Sequence, residues 1–396
     1  MTRSVAAAAR GRADWRLLLF SWLALPGALL AALLVGAVMM LAFGANPLDG
    51  YRALLTGAFG SSYALGSTAV KSAPLLLVAV GICIAFRANV FNIGGEGQIA
   101  MGGLASAAVA LMVPGLPGII LIPLVLLAGA AGGAAWGAIP GAFKAYFNVN
   151  EILSTIMLNL VAVQLMNYLL AGPMVDQSLN STGGLIPETK LLSSNAWLPI
   201  LVPGTQLHLG VAIAVLVAAG AYLLLWRTGF GFRIRAVGLS EPAARYAGMP
   251  VKRTITLAMT LSGAMCGLAG ALLVFGSLSH RLVSDGSLTG FTGSAGFNGI
   301  VVALFGGLNP LLAIVSAFLF GGLVVGGSSM QVATGVPSDL VTTLIGLAVV
   351  FIVSLEYLRR RARAQALVLS QARLGDPSEP HAGSNPPATL AGGSPG

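Results

Sequence analysis

Charge is scarce in this chain. Only 8% of its 396 residues are Asp, Glu, Lys or Arg, while 56% are hydrophobic and the mean hydropathy is +0.89. A soluble domain carries about 25% charged residues, so a free-standing enzyme or binding module in water is excluded. Cysteine is scarce too. Cys83 and Cys266 both sit inside apolar runs, which excludes a disulfide framework and leaves them as small core residues. The three histidines are His208, His280 and His381. None lies in the middle of an apolar run, so an intramembrane hydrolase has no imidazole base. Asp176, Asp285 and Asp339 fall in loops or at a helix end, which argues against an aspartyl dyad. No metal-ligand cluster is expected. A phosphate-binding GxxxxGK[ST] loop is also missing. The nearest string, Gly66 to Ser72, lacks the second glycine and lies in an apolar run. The chain is therefore expected to carry no cofactor and no ATP site of its own.

Long apolar runs are present in abundance. Leu17–Phe43, Gly118–Phe143, Ile152–Ala171, Leu209–Trp226, Thr254–Gly276, Leu311–Gly327 and Leu340–Leu358 reach or approach the roughly 20 residues that cross a bilayer. The first run exceeds the core of a secretory signal and reads as an uncleaved helix. Gly44 to Ser62 reads as a polar loop, followed by helices near 64–86 and 98–113. The expectation is an all-α polytopic membrane protein with about ten crossings. Its parts are an N-terminal arm (1–16), a membrane domain (17–358) and a Pro/Ser/Gly-rich tail (359–396) that cannot build a core. The net charge of +9 could suggest nucleic acid. Ten crossings instead place most of the Lys and Arg on one side, which assigns both termini to the cytoplasm and makes lipid, not nucleic acid, the surrounding partner.

Two stretches interrupt the apolar pattern. In Arg87–Gly103, polar residues Asn92, Glu96 and Gln98 crowd around Gly94, Gly95 and Gly97. Irregular backbone at membrane depth survives only inside protein or beside a water-filled path. The stretch is either such a path lining or a solvated loop with Glu96 at a helix start. In Gly293–Gly299 a second Gly-broken segment precedes a helix too short to cross alone. Residues 64–171 and 254–357 share this rhythm with opposite direction, so the chain reads as two inverted repeats with short broken helices, the arrangement that marks a solute path. Asn159 and Gln164 lie deep in a further helix and either bond neighbouring helices or face such a path. Residues placed in the two broken segments and in this helix are the candidates for a path lining. They are Phe91, Asn92, Glu96, Gln98, Asn159, Phe297 and Asn298.

Arg227–Arg253 is a charged island between the two apolar halves. Pro242 can open a short helix near 241–247, and Gly248-Met249-Pro250 can close it. The strings FNIGGEGQIAMGG, NVNEILSTIMLNLVA, GFRIRAVGLSEPAARYAGM, LSGAMCGLAGALLVFG and GFNGIVVALFGGLNP resemble the permease family of bacterial ABC importers for ribose, branched-chain amino acids and similar solutes. NEILSTIMLN and Gly-Phe-Asn-Gly-Ile are most similar to its nucleoside branch. The resemblance covers about 60–357 of the sequence. It implies a permease of the inner membrane that pairs with a second, related permease, with an ABC ATPase that binds the ATP and with an extracytoplasmic solute-binding lipoprotein. It also implies that 227–253 is the ATPase-coupling loop, with Arg235, Gly238, Glu241, Ala243, Ala244, Arg245 and Gly248 at the matching positions. The stretch Ser193–His208 has no clear match to the family.

The function expected is the solute path of a nucleoside importer. The alternatives are a permease of the same family for a simple sugar such as ribose, an ion-coupled secondary transporter, for which only Glu96 and Glu151 could serve as membrane acids, or a non-transporting scaffold.

Overall fold

The computed structural model describes residues 30–31, 33–176, 186–276, 279–337 and the scattered positions 340, 342–343, 346–347 and 350. The expected N-terminal arm, the first half of the first helix, most of the last helix and the tail lie outside the described residues. Contacts divide the chain into a body of residues 32–349 and a unit of the two termini. The described part of the body is mainly helical. Six described helices are long and apolar enough to cross a bilayer: α3 (Ser62–Arg87), α5 (Gly118–Phe147), α6 (Glu151–Ala171), α7 (Leu209–Arg227), α10 (Val251–Phe275) and α12 (Pro310–Thr334). A seventh is formed if α1 (Leu33–Ala42) and α2 (Pro47–Phe59), bent by 119°, count as one. Two shorter helices, α4 (Gly95–Met112) and α11 (Ala295–Phe305), follow the Gly-broken stretches.

Burial shows which helices are central. The most apolar window of α3 is 78% buried and that of α10 is 67%, against 22–28% for α5, α6 and α7. Small residues make the centre compact. A Cβ on Gly133 would lie 2.2 Å from the Gly263 carbonyl, and one on Gly267 would lie 2.2 Å from that of Gly129. A Cβ on Gly270 would meet the Ile99 carbonyl at 2.1 Å. Helices α4, α5 and α10 therefore touch backbone to backbone, the packing that membrane helices achieve with glycine ladders.

Two elements differ from the sequence reading. Gly44–Ser62 is not a polar loop, since it holds α2. Asn46 caps that helix by accepting from the Leu48 N–H, and Pro47 opens it. Gly50, Leu54 and Ala58 are buried, and a Cβ on Gly326 of α12 would strike the Leu54 carbonyl at 2.3 Å. Burial on α12, not overall apolarity, drives this helix. The charged island holds two helices, not one. Helix α8 (Gly229–Leu239) is capped by Thr228, and α9 (Glu241–Tyr246) by Ser240.

On the opposite end, 186–208 is tied down by side chains. Arg281 lies 2.7 Å from Glu188 and 3.3 Å from Asp176. His280 stacks on Trp197 at 3.9 Å. His208 caps α7 by accepting from the Gly210 N–H at 3.1 Å.

Candidate functional site

The two broken segments meet. Helix α3 ends at Arg87 and α4 begins at Gly95, leaving a seven-residue turn in which Asn89 takes a positive φ of 56°. Ser294, also with a positive φ of 61°, is the N-cap residue of α11. The N-termini of α4 and α11 abut so closely that a Cβ on Gly95 would lie 3.0 Å from the Gly296 Cα, and one on Gly296 would lie 2.4 Å from the Glu96 nitrogen. A side chain at Gly296 would clash outright, and one at Gly95 would need the facing backbone to yield. Glu96 is fully buried at this junction, and its carboxylate accepts from the Phe297 N–H at 2.9 Å. A carboxylate between two helix N-termini is stabilised by both dipoles, by about 0.3–1 kcal/mol each. It rises from the first turn of α4 and bonds the N-terminus of α11.

The amides close on one another. Asn92 and Gln98 form a reciprocal pair at 2.9 and 3.1 Å. Asn92 also donates to Ser262 of α10 at 2.8 Å and accepts from the Gly94 N–H at 2.9 Å. Asn159, from α6, accepts from the Gly97 N–H and donates to the Ile93 carbonyl, each at 2.9 Å. Asn92, Gln98 and Asn159 are 1% exposed. Sequence reasoning grouped these residues, and the structure brings them together as a brace across the helix break. The remaining candidates are more open. Phe91 is 44% exposed, edge-on to Phe86. Phe297 and Asn298 are half-buried on α11.

The coupling candidates divide in a similar way. Arg235 is half-buried beside Trp226, at 5.9 Å from the ring centre, and Arg87 approaches the same ring at 5.2 Å. Gly238 lets α8 cross the end of α3, since a Cβ there would lie 2.0 Å from the Arg87 carbonyl. These two residues hold α8 to the body. Ala244 is 4% exposed and packs inward. Ala243 and Arg245 are exposed, Glu241 is half-buried in the first turn of α9, and Gly248 reverses the chain at φ +76°. Leu239 and Tyr246, which sequence reasoning passed over, are 88% and 97% exposed. They end α8 and α9 on either side of the Ser240 break, and nothing in the sequence spacing marked them. Shallow hollows flank α9. One is lined by Tyr146, Met249, Lys252 and Arg253, the other by Glu241, Pro242 and Tyr246, and Arg245 borders both. Nearby, Lys144 and Glu151 pair at 3.0 Å.

This architecture of abutting half-helices in a glycine-packed body has a family match. The pattern described as "Branched-chain amino acid transport system / permease component" fits residues 64–353. The chain belongs to this family. It is a multi-pass membrane permease, a transport subunit of the ABC importer class and not an enzyme. The permease is 37% identical over 327 residues to a guanosine ABC transporter permease of Bacillus subtilis, covering 83% of this chain and 91% of that protein. It is 34% identical over 338 residues to a nucleoside ABC transporter permease of Lactococcus lactis, covering 84% and 90%. A glucose ABC transporter permease of Haloferax volcanii matches at 34% over 341 residues, covering 84% and 87%.

Proposed function

We propose that this permease forms the membrane path of an importer for nucleosides. The observation that carries the reading is the likeness to guanosine and nucleoside permeases over more than four-fifths of the chain. The glucose permease relative supports a second reading, a simple-sugar importer. A nucleoside contains a sugar, so the two solutes share hydroxyl groups and differ in the flat base.

In this proposal a second permease completes the path, an ABC ATPase binds and hydrolyses ATP below it, and a solute-binding lipoprotein delivers the solute above. Ten crossings are reached when α1, α4, α11 and the segment of the helical positions 340, 342, 343, 346, 347 and 350 join the six long spans, with both termini cytoplasmic. Two inverted repeats are supported by the matching order of full helix, broken stretch, short helix and long helix in α3–α5 and α10–α12. Phe91, Phe297 and Asn298 supply open surface to the path. Asn92, Glu96, Gln98 and Asn159 shape it by holding the break. The segment 227–253 is the coupling element, with α9 presented to the ATPase.

The test is uptake by cells lacking this gene, with and without the gene restored. Labelled guanosine should enter only when the gene is present, and unlabelled nucleosides should compete while ribose and leucine do not. Restored uptake of a sugar, with none of guanosine, would move the assignment to the second reading.

A further inference from the structure

Helix α6 carries two deep amides, and they face opposite ways. Asn159 is buried and fully bonded to the helix break. Gln164 is exposed, and its side-chain amide makes no hydrogen bond to any described residue. At 1.5 Å per residue, Gln164 stands about 20 Å from the inner end of α6 and about 10 Å from its outer end. Hydrocarbon offers nothing to an amide with two donors and an acceptor. Something other than lipid faces Gln164.

The surface around it narrows the choice. Met157, Leu160, Val161 and Tyr168 are exposed on the same side, with Tyr168 one turn beyond Gln164 and 72% open. No Asp, Glu, Lys or Arg is exposed between 152 and 171. An apolar wall with one amide and one aromatic ring, and no charge, fits an uncharged solute with a flat face and hydroxyl or N–H groups. The ring can stack on a base, and the amide can pair with its edge or with sugar hydroxyls.

We infer that this face of α6 lines the solute passage and that Gln164, with Tyr168 beside it, contacts the solute and sets its specificity. The inference rests on the proposed nucleoside reading for the solute's chemistry, but not for its position. The opposite wall belongs to the second permease.

The complete importer, with Cys83 and Cys266 replaced by Ala, serves for the test. Cysteine at Gln164 should react with a small charged thiosulfonate, and 1 mM guanosine should slow that reaction. In the importer with native cysteines, Gln164→Leu should raise the KM for guanosine about tenfold, the worth of one lost polar contact. Gln164→Asn should recover part of it. The amount of second permease that co-purifies should not change. Loss of co-purification with an unreactive cysteine would make α6 a helix–helix contact and overturn the inference. An unreactive cysteine with normal KM and normal assembly would make the face lipid-exposed and overturn it as well. Protection by glucose but not by guanosine would retain Gln164 as a solute contact while refuting the nucleoside reading.

Discussion

Asn159 shows how a single side chain can hold a membrane break together. Its amide serves the Gly97 N–H and the Ile93 carbonyl at once, on either side of the point where α4 starts. Leucine there would leave both backbone groups without a partner in a dry interior, at about 1–3 kcal/mol each. Asn159→Leu should therefore lower the melting temperature of the detergent-solubilised permease by several degrees and reduce transport, while Asn298→Leu should alter transport with little change in melting. Equal melting of Asn159→Leu and wild type would show that the brace is not structural. His208 offers a pH test at the same scale. It lies just before the α7 span, 4% exposed. Burial, with a smaller contribution from His280, lowers its pKa to about 4. Burial also lowers the pKa of His280. As the acceptor in a helix cap, the imidazole must be neutral. Above about 6.5 it is neutral in both the folded and the unfolded chain. As pH falls from 6.5 towards 4 the unfolded chain takes up the proton first, so stability is lost over that window, by about 3 kcal/mol at the acid end. Melting should fall between pH 7.5 and pH 5. His208→Asn, which keeps a cap acceptor without a titrating group, should flatten that dependence. An unchanged dependence would assign it to other groups.

Among the elements, α9 is where the proposed coupling role can be tested apart from the fold. Its six residues present Ala243, Arg245 and Tyr246 outward and turn Ala244 inward. Ala244→Asp buries a charge within the chain itself and should cost several kcal/mol of stability. Ala243→Asp and Tyr246→Ala should leave melting within about 0.5 kcal/mol of wild type, as surface changes do, yet strongly reduce solute-stimulated ATP hydrolysis by the assembled importer. Full stimulation in both surface variants would place the coupling contact elsewhere, for instance at the Lys144–Glu151 turn. Helix α8 has a different part. Gly238 and the Arg87 carbonyl hold it close against the end of α3, beside the turn that precedes α4.

Across the whole molecule, the long spans were legible because apolar runs of this length have few other uses in a protein. The glycine breaks were legible for a related reason: glycine and polar residues interrupt such runs only where protein surrounds them. Three features were not. Helix α2 has a mixed composition, and its burial on α12 depends on a contact more than 250 residues away in sequence, although Asn46-Pro47 was a readable start. Helix α8 lies in the most charged stretch, where an apolar period is hard to detect. The division of the amides into bonded and open sets was hidden because spacing gives the face of a helix but not what covers it. Asn159 and Gln164 are five residues apart and look alike in sequence, yet one is enclosed and the other is not.

The most direct test of the account is transport by the purified parts. Proteoliposomes would contain this permease, its partner permease and the ATPase, with ATP inside and the binding protein and labelled guanosine on the opposite, extracytoplasmic side. The account predicts accumulation of guanosine on the ATP side, against its gradient, only when ATP is present, and no ATP hydrolysis by this chain alone. Accumulation driven by an ion gradient without the ATPase, or transport of glucose with guanosine left behind, would contradict it.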